Sequence, residues 1–135
     1  MAKRYQVAAV PVRQDASLGT QVLLVTSRET RRWVVPKGWP WPKHADHDAA
    51  AAEAWEEAGV VGRVKTKSIG SYTYDKRRDG RLYLLKVNVY VLAVTKVAET
   101  WPEFNERDRQ WFTAREAASL VDEPALKDIL LSLAA

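Results

Sequence analysis

The spacing of apolar residues predicts a chain built mainly of β-strands. Alternating segments and short apolar runs predict strands over residues 5–13, 21–26, 33–35, 60–67, 68–74, 82–94 and 107–112. Pro11 cannot donate a backbone hydrogen bond, so the first strand is predicted to be an edge strand or a broken one. The Asp79-Gly80 pair predicts a tight turn at the tip of a basic hairpin. The long apolar segment 82–94 is the predicted centre of the sheet.

Helical periodicity replaces the strand pattern in the middle and at the end of the chain. The first helix is predicted to begin at Asp46 or Asp48, either of which suits an N-cap, and to end before Gly59. Thr113-Ala114-Arg115-Glu116 has the form of a capping box that opens another helix. A final helix is predicted from an apolar stripe of Leu126, Ile129, Leu130 and Leu133, which we interpret as a packing face.

The first predicted helix carries three carboxylates on one face. Glu53, Glu56 and Glu57 stand at i, i+3 and i+4, and no Lys or Arg lies three or four residues from any of them. They occupy the C-terminal half of the helix, where the helix dipole disfavours negative charge. A solvated acidic face is the simpler interpretation, but such like charges destabilise the helix unless a cation holds them together. The pattern therefore favours a site for a hard divalent cation such as Mg²⁺.

A proline-rich loop precedes this helix. Residues 36–43 contain three prolines and Gly38, so the loop is predicted to be extended and stiff. Lys37 and Lys43 are candidates for contacts with phosphate. Trp39 and Trp41 either cover a substrate or anchor the loop, and we favour anchoring.

Composition narrows the classes of function. The chain has 135 residues, of which 47% are apolar, and we expect one domain over 1–135. The absence of cysteine excludes disulfides, thiolate metal sites and cysteine nucleophiles. No apolar run approaches the roughly 20 residues of a membrane span, and the N-terminus lacks the apolar stretch of a signal peptide. We therefore expect a cytoplasmic protein with no membrane partner.

The balance of charge indicates an anionic partner. The net charge is +4, from 21 basic and 17 acidic residues, although the predicted helix over 46–58 is acidic. The basic residues are scattered, and no recognition-helix or aromatic-basic pattern is present, which disfavours nucleic acid. A phosphate-rich small molecule fits at least as well. Arg28 is singled out because it leaves a strand expected to run beside the proline-rich loop.

The segment from Gly38 to Val60 resembles the Nudix box, G-x5-E-x7-R-E-U-x-E-E-x-G-U, where U is an aliphatic residue. Gly38 and Gly59 match the two glycines, and the three helix carboxylates match the acidic positions of the second half of the box. The resemblance implies an α/β fold of the Nudix type, an α/β/α sandwich with a mixed β-sheet. It also implies a hydrolase that cleaves phosphoanhydride bonds with Mg²⁺, or with Mn²⁺, held by Glu53, Glu56, Glu57 and the Gly38 carbonyl.

Two positions depart from the box. His44 stands where the box has its first Glu, and Ala52 stands where it has Arg. In the family these two side chains are expected to pair, and losing both removes an ion pair without leaving either charge alone. We interpret the change as a replaced structural brace if His44 points away from the glutamates. If it faces them, the site has chemistry of its own.

Outside the box, the chain resembles the diphosphoinositol polyphosphate phosphohydrolase branch of the Nudix family. The resemblance rests on segments 27–28, 33–36 and 89–92 and on Arg107-x-Arg109-x-Trp111-Phe112, although Pro36-Lys37-Gly38 replaces the Pro-Gly-Gly of that branch. It implies inositol pyrophosphates or dinucleoside polyphosphates as substrates. It also implies phosphate contacts from Arg28, Arg107 and Arg109, since arginine binds phosphate bidentately.

Three functions remain open at this point. In the hydrolase, a carboxylate of the box or of the acidic loop from Glu99 to Glu106 acts as the general base. The alternative is a Nudix-fold sensor that binds a nucleotide or polyphosphate without cleaving it, favoured by the changes at His44 and Ala52 and disfavoured by the complete set of three glutamates. A nucleic-acid module is the third interpretation.

Overall fold

A computed structural model of the protein describes residues 4–134. In this part of the chain, one mixed sheet of eight strands is covered by three helices. The strands are β1 (Tyr5–Asp15), β2 (Gly19–Thr26), β3 (Trp33–Val34), β4 (Lys37–Gly38), β5 (Val60–Val64), β6 (Gly70–Arg78), β7 (Arg81–Val97) and β8 (Arg109–Thr113). The helices are α1 (Asp46–Ala58), α2 (Ala114–Leu120) and α3 (Pro124–Ser132).

The sheet contains a split that places the proline-rich loop. β1 runs parallel to β7 and antiparallel to β2, but it pairs with β2 only from Val12 onwards. Below that point β1 and β2 separate, and the segment that contains β3 and β4 fills the gap. β3 pairs with the end of β2, while β4 pairs with β1 at Val7 and Ala8. Gly38 therefore lies inside the sheet rather than on a free loop.

Two apolar cores form the layers of the molecule. On one face of the sheet, α1 packs through Ala49, Ala50, Ala54 and Ala58 against strand residues that include Leu23. On the other face, α2 and α3 pack through a second set that includes Leu126 and Leu130. The small side chains of α1 bring its axis close to the sheet. The predicted α/β/α sandwich with a mixed sheet is confirmed.

The prediction that β1 is an edge strand or a broken one was wrong. β1 has β7 along one edge and β4 followed by β2 along the other. Pro11 falls between the residues that pair with β4 and those that pair with β2, so its missing N–H group costs this edge no ladder hydrogen bond. On this edge the N–H of Ala9 donates to the carbonyl of Pro36 in the proline-rich loop at 3.0 Å.

The end of α1 and the start of α2 lie where the sequence predicts them, but the residue that caps the start of α1 differs from the prediction. α1 ends at Gly59, whose φ of 68° is left-handed, as predicted. Its N-cap is Ala45, so neither Asp46 nor Asp48 caps it with a side chain. Asp46 instead accepts a hydrogen bond from the Tyr5 hydroxyl at 2.8 Å. The capping box of Thr113 and Glu116 is present at the start of α2, as predicted.

The hairpin between β6 and β7 turns at Asp79 and Gly80, as predicted. Their φ angles of 51° and 74° are both left-handed, which is the requirement of a two-residue turn of this kind. Within residues 4–134, no helix is both long and apolar enough to cross a membrane.

Candidate active site

Gly38 is pressed against the side chain of Glu53. A Cβ at residue 38 would lie 2.5 and 2.8 Å from the two carboxylate oxygens of Glu53, so only glycine fits without displacing that side chain. β4 holds Gly38 in the sheet, and α1 holds Glu53 above it. The backbone of the proline-rich loop and a carboxylate of α1 are thereby brought together.

Glu53 and Glu57 form a buried carboxyl pair one helical turn apart. The side chain of Glu57 is hydrogen-bonded to that of Glu53, and Glu57 is almost inaccessible to solvent. Burial raises the pKa of Glu57 to about 8, against the opposing effect of Arg107. Burial also raises the pKa of Glu53 above its ordinary range. Without a cation, the pair is held together by a proton that the two carboxylates share.

Glu56 does not join this pair. Its side chain is exposed, although its charge still acts on Glu53. In the described part of the chain, no three acidic or histidine side chains already converge as a metal cluster. Of the three glutamates that the sequence placed on one helix face, Glu53 and Glu57 are joined and Glu56 stays apart in solvent. The pair repels a third carboxylate unless a cation lies between them.

Arg107 is the cation that balances the buried pair. Its Nη2 lies 3.8 Å from Oε1 of Glu57, and its Nε donates to Oε1 of Glu103 at 2.7 Å. Nη1 donates to the Thr26 carbonyl at 3.0 Å, which fixes the guanidinium against the end of β2. Arg107 is nearly buried, as its side chain is 10% exposed. The predicted phosphate contact thus lies in the site, with its charge already shared between two carboxylates.

Glu103 is a residue of the site that the box does not contain. Its charge acts on Glu53, and its backbone N–H donates to the Glu56 carbonyl at 3.1 Å. The loop that carries it is fastened to α1 by Trp101, whose indole N–H donates to the Glu57 carbonyl at 3.0 Å. The acidic loop is therefore a wall of the site, and Glu103 is its carboxylate next to the pair.

Arg109 braces the end of α1. Its guanidinium donates to the carbonyls of Ala58 and Ala98 and lies over the Trp101 ring, 3.8 Å from the ring centroid. The hydrogen bond to Ala58 satisfies a carbonyl in the last turn of α1, which has no partner within the helix, and the hydrogen bond to Ala98 ties in the residue that follows β7. The placement favours a positioning role for Arg109, although the sequence suggested a phosphate contact.

Arg28 lies at the open side of the site. It pairs with Glu106 at 3.1 Å, and its side chain is 59% exposed. The hydrogen bond to Glu106 raises the pKa of Arg28, and Glu103 and Glu57 act on it in the same direction. Arg28 is thus near the carboxyl pair and accessible to an anion.

Lys37 lies on the face of β4 opposite to α1. Its Nζ is 4.9 Å from the centroid of the Tyr74 ring, a cation–π contact. Burial lowers the pKa of Lys37, while the charge of Glu57 opposes that effect. The Lys37 side chain therefore lies on the other side of the sheet from Glu53 and Glu57.

His44 packs within the proline-rich loop. Its ring meets the Trp41 ring edge-on, with 5.5 Å between the centroids, and both side chains are exposed. This position supports the interpretation that His44 replaces a structural brace of the box rather than a group of the acidic cluster. Trp39 and Trp41 are 41% and 43% exposed, so the loop is not anchored by burying its indoles.

The residues at this site fit a divalent cation. Two carboxylates share a buried position, and the backbone of Gly38 lies directly against one of them. Oxygen donors of this kind are those that Mg²⁺ and Mn²⁺ bind. A cation would stabilise the ionised carboxylates, which burial disfavours and whose pKa values it raises.

The family of this chain follows from its match to a family model and to known relatives. The NUDIX domain model matches residues 2–133. The chain belongs to the Nudix family. Its relatives include a diphosphoinositol polyphosphate phosphohydrolase 3-beta of Bos taurus, 36% identical over 104 residues, with 75% of this chain and 60% of the relative covered. Nudix hydrolase 16, mitochondrial, of Arabidopsis thaliana is 34% identical over 115 residues, with 82% and 63% covered.

This Nudix chain spans about 60% of the length of the curated relatives that it matches. Among solved structures, it is similar to an Ap4A hydrolase of C. elegans in a binary complex, with a TM-score of 0.68 and 20% identity. That match covers 96% of this chain and 93% of the other. At this level of identity the likeness concerns the fold, and it agrees with the sandwich described above.

Proposed function

We propose that this Nudix chain is a hydrolase that cleaves a phosphoanhydride bond with the help of Mg²⁺ or Mn²⁺. The substrate is a phosphate-rich small molecule in which a diphosphate is linked to another moiety, such as a dinucleoside polyphosphate or an inositol pyrophosphate. The observation that carries the proposal is the buried Glu53–Glu57 pair pressed against Gly38. The names of the relatives, phosphohydrolases and Nudix hydrolases, support the same class of reaction.

The metal would be held by Glu53, Glu57 and the Gly38 carbonyl, with Glu56 completing the ligands from the exposed side of the helix. When bound, it supplies Lewis-acid polarisation of the phosphate and of the attacking water. Arg107 keeps the acidic cluster from accumulating uncompensated negative charge. Arg28, which is exposed at the open side of the site, binds a phosphate beside the bond that breaks and offsets its charge as the transition state forms.

We assign the general base to Glu103. Its Oε1 accepts a hydrogen bond from Nε of Arg107, which holds the carboxylate at the edge of the site, where it can take a proton from water. It is 21% exposed and borders Glu53, so a water molecule can reach both carboxylates. The buried Glu57 is less suited to this step, because burial favours its protonated form and a cation would occupy its oxygens.

The competing function is a sensor that binds a nucleotide or polyphosphate without cleaving it. The observation in its favour is that His44 and Ala52 replace the charged pair of the box. His44 packs on Trp41 rather than in the acidic cluster, so the loss removes a brace and leaves the carboxylates. The hydrolase is therefore the better-supported function.

The test is a substrate panel. The protein is incubated with Mg²⁺ and diadenosine hexaphosphate, an inositol pyrophosphate, ADP-ribose or nucleoside triphosphates, and the products are separated. We expect cleavage of at least one compound at a phosphoanhydride bond, with Glu57→Gln inactive. Binding of these compounds with no cleavage of any would overturn the hydrolase in favour of the sensor.

A further inference from the structure

We propose that Trp101 is a positioning residue of the site. By joining the acidic loop to the end of α1, its indole holds the Glu103 carboxylate in place beside the Glu53–Glu57 pair. The inference rests on the proposed function for the role of Glu103 as general base. The contacts that make the joint do not depend on the reaction.

The acidic loop supplies hydrogen-bond partners for the end of α1. The last carbonyls of an α-helix have no partners within the helix. In α1, the Glu56 carbonyl accepts a hydrogen bond from the backbone N–H of Glu103 at 3.1 Å. The Glu57 carbonyl accepts one from the indole N–H of Trp101 at 3.0 Å. The loop is therefore part of the C-terminal cap of the helix that carries the carboxyl pair.

The ring of Trp101 is packed directly on Gly59. A Cβ at residue 59 would lie 2.6 to 2.7 Å from three atoms of the ring, which is closer than van der Waals contact allows. The Ala98 N–H donates to the Gly59 carbonyl at 2.8 Å, and the Arg109 guanidinium lies 3.8 Å from the Trp101 ring centroid. Residue 59 must therefore be glycine to make room for the indole, as well as to adopt the left-handed conformation that ends α1.

The position of Glu103 depends on this joint. Glu103 follows Trp101 by two residues, and its side chain accepts a hydrogen bond from Nε of Arg107 at 2.7 Å. The same guanidinium lies 3.8 Å from Glu57, so Glu103 and the pair are fixed to one helix end and one cation. A general base acts only within hydrogen-bond reach of its water, and a misplacement of about 1 Å can cost about 100-fold in rate. A change at Trp101 should therefore slow the chemical step more than it weakens substrate binding.

The experiment measures kcat, KM and the hydrogen exchange of the Glu103 backbone N–H in two variants of Trp101. For Trp101→Leu we expect kcat to fall by about 10- to 100-fold, with KM within about 2-fold of the wild type. Exchange of the Glu103 N–H should become at least about 10-fold faster, because its hydrogen bond to Glu56 opens more often. Trp101→Phe keeps a ring on Gly59 but has no N–H group, so both effects should be smaller.

Gly59→Asn separates the need for space from the need for a left-handed backbone. Asparagine tolerates this conformation, so a helix end that required only the conformation would accept it at low cost. Because the indole fills the space, we expect Gly59→Asn to lower kcat as Trp101→Leu does. In the double variant the asparagine meets no indole, so the two losses should not add.

Trp33→Phe is the matched control for the loss of an indole. Trp33 packs edge-on against Phe112, with 5.1 Å between the ring centroids, in the core on the face of the sheet opposite to α1. It should lower Tm and leave kcat and the exchange of the Glu103 N–H unchanged.

Three results would overturn the positioning role. They are an unchanged kcat in Trp101→Leu, an equal fall of kcat in Trp33→Phe, and additive losses in the double variant with Gly59→Asn. A wild type without turnover would overturn the proposed function instead. The exchange of the Glu103 N–H would then decide about the joint alone, and the same exchange rate in the wild type and in Trp101→Leu would overturn it.

Discussion

The Cα of Gly38 faces the Glu53 carboxylate so closely that a methyl group there would lie 2.5 and 2.8 Å from its two oxygens. Gly38→Ala must therefore push Glu53 aside, away from the carbonyl with which it would hold a cation. We expect the affinity for activating Mg²⁺ to fall by about 10- to 100-fold, the range seen when a metal ligand loses its orientation. The measurement is the Mg²⁺ dependence of the hydrolysis rate.

Gly70→Ala is the control for the glycine substitution. A Cβ at residue 70 would meet only the Ile129 side chain, at 3.3 Å, on the face of the sheet covered by α3. It should cost some stability and leave the Mg²⁺ dependence unchanged. An unaltered Mg²⁺ dependence in Gly38→Ala would show that this contact does not orient the ligands.

The three box glutamates should differ in importance. Glu57→Gln and Glu53→Gln remove members of the buried pair, and each should lower kcat by at least about 100-fold. Glu56→Gln changes an exposed side chain and should lower kcat less. Steady-state kinetics of the three variants at saturating Mg²⁺ give the loss of kcat in each and so rank the three glutamates. A larger loss in Glu56→Gln than in Glu57→Gln would mean that the metal lies on the outer side of the helix.

Substitutions of Arg109 and Arg28 should have different effects, because Arg109 positions the end of α1 and Arg28 contacts the substrate. Arg109→Met removes donors from the Ala58 and Ala98 carbonyls and should cost about 1–3 kcal/mol of unfolding free energy. Arg28→Met should leave stability nearly unchanged, since its ion pair is exposed, and raise KM. Denaturant unfolding and substrate kinetics test both variants. The assignments would be reversed if Arg109→Met raised KM without a loss of stability.

The pKa of Glu57 predicts how pH and Mg²⁺ act on stability. The folded metal-free protein keeps a proton on Glu57 up to about pH 8, whereas the unfolded chain releases it near 4.5. The folded state therefore binds more protons between these values, and this contribution to stability falls as pH rises. Mg²⁺ competes with that proton, so it should raise Tm more at about pH 9 than at about pH 5.

Thermal unfolding with and without Mg²⁺ at both pH values tests this linkage. In Glu57→Gln, the part of the Mg²⁺ effect that depends on pH should be largely absent. A Mg²⁺-induced rise in Tm that is the same at both pH values in the wild type would separate Glu57 from the metal site.

Much of the fold follows from local patterns in the sequence. Gly59 ends α1, the Asp79-Gly80 turn closes the hairpin, and the Thr113 capping box opens α2, because each depends on the conformation of a few adjacent residues. Pro11 misled the prediction because its effect depends on which partner lies opposite. The split between β1 and β2, filled by β3 and β4, leaves its missing N–H harmless, and such a split depends on long-range pairing.

The site also has features that follow from local sequence and features that depend on distant contacts. The spacing of Glu53 and Glu57 on one helix face is a local property, and the structure joins them. The role of Glu103 is not local, since it depends on Trp101 and Arg109 fastening a distant loop to the end of α1. From the sequence alone, that loop is recognisable only as a group of acidic residues. The contacts of Arg109 are not local either, because its carbonyl partners, Ala58 and Ala98, belong to two other segments.

Metal-dependent hydrolysis at the Glu53–Glu57 pair is tested by the rate of phosphoanhydride cleavage in the wild type and in Glu57→Gln, each with Mg²⁺ and with a chelator. Asp128→Asn, an exposed carboxylate on α3, is the control. We expect the wild type and the control to turn over a substrate of the panel only when Mg²⁺ is present, and Glu57→Gln to lose at least about 100-fold in rate. Turnover that persists in the chelator, or that is unchanged in Glu57→Gln, would contradict it.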